Sequence, residues 1–222
     1  MPLSSQTRIF SDPAQIAPLL RRQFPIRIDE LQVIAAAIFR GFVQVSSLHP
    51  KGFRGTNAWA EGTSSLRALM IPKGWHVEDP QGQPRVVSKN GKIAITVSSG
   101  NADTGVANRV PQTRNDKGTQ TAGSVHFNAQ QMLLFPLPES DISSLIVPAN
   151  GQSLWILLYY IDLDARHVRF ELSQPTAMSE ADKVNSWSTR FILPPLPFTP
   201  DFDDRSEDEG PDIDIQVTPK QL

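Results

Sequence analysis

At Gly74 the spacing of apolar residues changes, and that change constrains the fold more than anything else in the chain. Before it, apolar residues recur at three and four: Ile28, Leu31, Ile34, Ala35, Ile38, Phe39 and Phe42 lie on one helical face. After it, Ile93, Ile95 and Val97 alternate with Ala94, Thr96 and Ser98, the period of a strand. Helices first and strands afterwards predict an α+β fold, in which N-terminal helices pack on a mostly antiparallel sheet.

The helical part spans about residues 10–72. Ser11-Asp12-Pro13 predicts a helix start, with a capping side chain followed by a proline whose missing N–H costs nothing there. Ile16, Leu19, Leu20 and Phe24 form its apolar face, Pro18 is expected to kink or shorten it, and Pro25 to end it. The second helix, 28–44, carries Asp29 and Glu30 in its first turn, where they complement the helix dipole. Its Ala35-Ala36-Ala37 centre admits a close neighbour. After a link at 49–55, Thr63-Ser64-Ser65 is expected to cap a short helix stopped by Pro72.

The sheet part spans 74–198. Gly74–Asp79, Arg85–Ser88 and Lys92–Ser98 read as strands, and Asn90-Gly91 is a hairpin turn. Ser153–Asp162 is almost wholly apolar, as expected of a strand covered on both faces. A turn at Leu163–Arg166 leads to a strand at Val168–Leu172, and Arg190–Leu193 supplies another. Val125–Phe135 fits helix or extended chain. Residues 1–198 are read as one body and 199–222 as an acidic, disordered tail.

Two apolar segments are separated by a polar run, 98–123, with only Val106 and Val110 as branched aliphatics. Long loops of this kind are usually functional or disordered. Charge is segregated. The chain carries −2 overall, yet its last 22 residues hold eight acids against two bases, which leaves the rest at +4. Arg85, Lys89, Lys92, Arg109, Arg114 and Lys117 face only Asp103 and Asp116 within 85–120. This segregation points to a polyanion site and a tail that screens it. Lys89, Lys92, Arg109, Arg114 and Lys117 are the candidate phosphate contacts, interleaved with small residues whose amides and hydroxyls reach phosphate oxygens. Lys51-Gly52-Phe53-Arg54-Gly55 resembles the G-x-x-G loop of KH nucleic-acid modules, which implies a second phosphate contact through Lys51 and Arg54.

Gln131-Met132-Leu133-Leu134-Phe135 resembles the bacterial sliding-clamp-binding pentapeptide. That resemblance implies an extended, accessible segment with Gln131 as polar anchor and Met132, Leu134 and Phe135 as apolar plugs. The tail segment Pro200–Asp204 is similar to the acidic tails of bacterial single-stranded-DNA-binding proteins.

Catalytic signatures are sparse. The chain has no cysteine, which excludes disulfides and thiolate chemistry, and no HExxH, G-x-S-x-G, P-loop or G-x-G-x-x-G. Asp162, Asp164 and Glu171 flank one hairpin and are the candidate Mg²⁺ ligands of a metal-dependent nuclease. No cofactor is otherwise expected, nor a signal peptide or a membrane partner. The reading is a cytoplasmic, bacterial or phage, nucleic-acid-associated accessory protein that binds DNA or RNA backbone and a partner protein. The nuclease and a protein-only adaptor are the alternatives.

Overall fold

The computed structural model describes residues 7–134 and 152–198. Among them, four helices accompany one eight-stranded mixed sheet, so the expected α+β class is observed. The strands β1 (Arg8–Phe10), β2 (His76–Glu78), β3 (Arg85–Val87), β4 (Ile93–Ser99), β5 (Ser153–Asp162), β6 (His167–Met178) and β7 (Val184–Ile192) lie in the order β1-β7-β6-β5-β4-β3-β2. A two-residue strand, β8 (Leu196–Pro197), pairs with β6. The pairs β1/β7 and β4/β5 are parallel and the others antiparallel.

Helix α1 (Pro13–Gln23) starts as expected: the Asp12 carboxylate accepts the Ala14 amide at 2.9 Å. It runs through Pro18 without ending there. Helix α2 (Ile28–Val43) turns Leu31, Ile34, Ala35 and Ile38 inward. Two glycines mark a close approach between α2 and α3. A Cβ on Gly41 would stand 2.8 Å from the Asn57 carbonyl oxygen, and one on Gly62 would stand 2.5 Å from an Ile38 side-chain carbon.

Helix α3 (Phe53–Met70) begins ten residues before the expected Thr63. Its buried stripe is Ala58, Gly62, Thr63, Leu66 and Met70, and the first three are too small or too polar to register as apolar period. Two strands also outrun expectation. β6 continues past Leu172 through Pro175, accommodated by register shifts between Gln174 and Met178, and β7 starts at Val184 rather than Arg190. Bulges of this kind absorb a proline that lacks a ladder donor.

The sheet has two unlike covers. On one face α1, α2 and α3 bury Ile16, Leu20, Phe24, Leu31, Ile34, Ile38, Leu66 and Met70 against Ile95, Val97, Trp155, Leu157, Phe170, Leu172 and Phe191. On the other face lie Val87, Ala94, Leu154, Ile156, Leu158, Val184 and Trp187, packed with Val125 of helix α4 (Thr119–Leu134). Buried Asn128 of α4 donates to the Leu154 and Pro175 carbonyls at 3.0 and 2.9 Å and accepts the Leu154 amide at 3.2 Å. Residues 100–118 complete this second cover. Among the described residues no helix is long and apolar enough to cross a membrane.

Candidate anion cleft at the head of α4

The polar run is not a solvated loop. It is a strap fixed to the sheet by a buried ion pair. Arg190 of β7 and Glu171 of β6 are 1% and 0% exposed, and they meet through two bonds, Nε–Oε1 at 3.0 Å and Nη2–Oε2 at 2.6 Å. The Ser173 hydroxyl and the Gly105 amide donate to the same carboxylate at 2.8 and 2.9 Å. The guanidinium also donates to the Arg109 and Val106 carbonyls at 2.6 and 3.2 Å. The Trp187 indole N–H donates to the Pro111 carbonyl at 2.8 Å, and the Arg114 and Lys117 amides reach the Ser99 and Asp182 carbonyls. A strap with few apolar side chains can cover a sheet in this way because its backbone polar groups are paired rather than stranded.

This geometry does not bring the three hairpin carboxylates together. Each Glu171 oxygen already accepts two donors, so the carboxylate is committed to the strap. Asp162 accepts from Arg169 and from the Ala165 amide, both at 3.0 Å, and Asp164 is exposed in the turn. Glu171 stands opposite Leu158, four register positions from Asp162, or about 13 Å along the strand. Among the described residues no group of three or more His, Asp or Glu side chains is placed to hold a metal ion.

The candidate cations are distributed rather than gathered. Arg85 is buried and donates to Gln152 and Gln83 at 3.0 and 2.8 Å, and burial lowers its pKa against the opposing charge of Glu78. Lys89 and Lys92 are exposed at the β3–β4 turn, before β4 begins. Arg114 bonds to Ser99 at the far end of β4, six residue steps or about 20 Å from Ile93. Arg109 is exposed, 3.8 Å from Asp103. Lys51 and Arg54 lie with the helical layer. Gly52, at φ +80°, precedes α3 and Gly55 lies inside it, while the Arg54 Nε donates to the Val45 carbonyl at 3.3 Å. Residues 131–134 close α4, so that stretch is helical where an extended segment was expected. Phe135 and the acidic tail lie outside the described residues.

One of these cations borders a cleft of about 230 Å³ beside α4. Thr96, Val97 and Ser98 of β4 and Ile156 of β5 contribute to its lining. The turn Gln81–Pro84 and the segment Asp116–Thr121 supply the rest. Two bonds tie these segments together: the Thr119 hydroxyl donates to Gln81 at 3.1 Å, and the Gln83 amide donates to the Thr121 hydroxyl at 2.7 Å. Gln81 holds a positive φ of 48° in this turn, a conformation that costs a non-glycine residue of order 1–3 kcal/mol and collects at ligand clamps.

The electrostatics favour an anion. Helix amides of the first turn have no partner inside the helix. The Gly118 carbonyl accepts from Thr121 and Ala122, but glycine brings no capping side chain, and no bond from the Thr119 or Gln120 amide is found among the described residues. The positive end of the α4 dipole therefore sits at the cleft. Lys117 precedes it and is half-buried; desolvation lowers its pKa, opposed by the charge of Asp116.

Sequence reasoning found Lys117 in this cleft and missed Gln81, Gln83, Thr96, Ser98, Thr119 and Thr121. The available signal was Gly118-Thr119, a helix start hidden in the polar run. The chain matches no family model, no curated protein and no solved structure.

Proposed function

We propose that this protein is a non-catalytic binding module that holds an anionic group of its ligand in the cleft at the head of α4. One observation carries the reading: the first residues of α4 and the half-buried Lys117 line the same cleft. Helix N-termini of this kind bind phosphate, sulfate and carboxylate. The histidines do not line the cleft, and its only carboxylate is Asp116, beside Lys117, so the chemistry supported is capture rather than acid–base catalysis.

The role anticipated in nucleic-acid association takes a narrower form here. One anionic group in the cleft is what the reading requires; Lys89 and Lys92, before the start of β4, are not among the residues that line it. Partner binding through Gln131, Met132, Leu134 and Phe135 is a separate proposal, and a pull-down with and without Phe135→Ala tests it.

Thermal unfolding with increasing phosphate or sulfate, at constant ionic strength held with chloride, tests the cleft. The midpoint is expected to rise with either anion in the wild type and to stay flat in Lys117→Met. An equal response of both proteins sinks the reading.

A further inference from the structure

We propose that residues 200–204, at the start of the acidic tail, dock back on the helical cover, with Phe202 on the Phe39–Phe42 surface of α2 and the acids toward Lys51 and Arg54. This surface belongs to the α1–α3 side of the sheet, opposite α4, and is independent of the anion cleft.

Three observations support it. The first is where the described chain delivers the tail. Strand β8 pairs with β6 and lies beside α2. The Phe198 amide then donates to the Arg166 carbonyl at 3.1 Å. The Phe198 ring stacks on Phe39 of α2, with centroids 4.0 Å apart and planes at 16°. The tail therefore starts on this surface. Phe202 is four residues further on, a reach of at most about 14 Å. Phe42 lies three residues beyond Phe39 along the helix, a rise of about 4.5 Å. In an extended chain Phe198, Pro200 and Phe202 share one side, so a chain that lays Phe198 on α2 turns Phe202 toward it as well.

The second observation is charge. Between Glu30 and Glu61 the chain carries Arg40, Lys51 and Arg54 and no acid. The Arg54 guanidinium lies over the half-buried Phe42 ring, 5.5 Å from its centroid, and its Nε donates to the Val45 carbonyl at 3.3 Å. Lys51 is exposed three residues before it. Glu61, the opposing charge, is two turns along α3 from Arg54, about 10 Å. Asp201, Asp203 and Asp204 surround Phe202 with carboxylates, and no base intervenes before Arg205. An acidic segment centred on an aromatic ring thus meets a basic surface centred on two aromatic rings.

The third is the tether. A segment held by a few residues has an effective concentration of order millimolar, so weak contacts suffice to dock it. That advantage belongs to the chain's own tail and not to a second copy or a separate protein. Docked there, the tail covers Lys51 and Arg54 rather than the 98–123 run that it was expected to screen.

The test uses the full chain. It has no cysteine, so nitroxide labels can be placed at Gln44→Cys, at the exposed end of α2, and at Ser206→Cys. Pulsed dipolar spectroscopy is expected to give one narrow distance. Phe202→Ala in the labelled chain should broaden it toward the spread of a free eight-residue tether, about 14–17 Å end to end. Asp201→Asn, Asp203→Asn and Asp204→Asn together should do the same, and so should Lys51→Glu in the body.

A distribution already broad in the wild tail overturns the docking. A narrow distance that survives both Phe202→Ala and the triple Asn variant overturns it too, because these side chains then do not hold the segment. Diluting labelled protein into an excess of unlabelled protein identifies the occupant. An unchanged distance keeps the contact within one chain. Loss of the narrow distance gives the surface to the tail of a second copy and overturns the proposal as stated.

Discussion

The two covers of this sheet solve the same problem with opposite chemistry. Helices α1–α3 bury large apolar side chains, including Phe24, which packs edge-on against Trp155 with ring centroids 4.9 Å apart. The strap 100–118 brings almost no apolar surface and is held by a fully buried ion pair and backbone hydrogen bonds. Apolar contacts are non-directional and tolerate repacking. A buried ion pair demands geometry, because an unpaired charge at that depth is costly. The helical cover therefore supplies bulk stability, and the polar cover fixes position.

The largest effects come from cutting each cover at its centre. Phe24→Ala is expected to lower unfolding free energy by about 3–5 kcal/mol through lost burial and a cavity, read by denaturant titration. Arg190→Met leaves Glu171 charged and buried, and is expected to cost a similar ~3–5 kcal/mol. The comparison is sharpened by Glu171→Leu with Arg190→Met. Together they should recover much of the global stability, since apolar replacements of buried pairs are often neutral or better. Hydrogen exchange at strap amides such as Gly105 should nevertheless stay fast, because the tether is gone. Strap amides as protected as in the wild type would show that something other than the ion pair holds that cover.

Asn128 offers a smaller cut in the same polar cover. Asn128→Ala removes three hydrogen bonds and strands the Leu154 amide, and a loss of about 1–3 kcal/mol is expected. Phe24→Ala should leave the α4–sheet contact intact in hydrogen exchange, whereas Asn128→Ala should loosen it first.

The two covers also differed in how much the sequence showed of them. The period of α2 and the apolar run of β5 name the helical face directly, because large side chains at regular spacing are the signal. The early half of α3 escaped because Ala58 and Gly62 bury backbone rather than bulk. The strap escaped for a stronger reason. Its order comes from Glu171 and Arg190, more than 60 residues further along, and neither carries a periodic mark. Their partnership is a property of strand register, which a local pattern does not encode. Of the cleft, only Lys117 and Asp116 were visible, as charges. The hydroxyls and amides around it have no chemistry until β4, the 81–84 turn and α4 are brought together.

The smallest expected effect tests the last difference between the covers: one is built for stability and the other gives some of it up. Burial lowers the pKa of Lys117, so the folded protein holds this proton less tightly than the unfolded chain does. Below the lowered pKa both states are protonated and the folded state carries the full desolvation cost. As pH rises from that value toward the ordinary 10.5 the cost disappears, so this lysine contributes an increase in stability across that window. Lys117→Met should unfold at slightly higher denaturant than the wild type at neutral pH, with the gap closing in the alkaline range, and should lose the response to phosphate. A variant that is both less stable and still phosphate-responsive would mean that Lys117 braces the strap, and the polar cover would then be architecture alone.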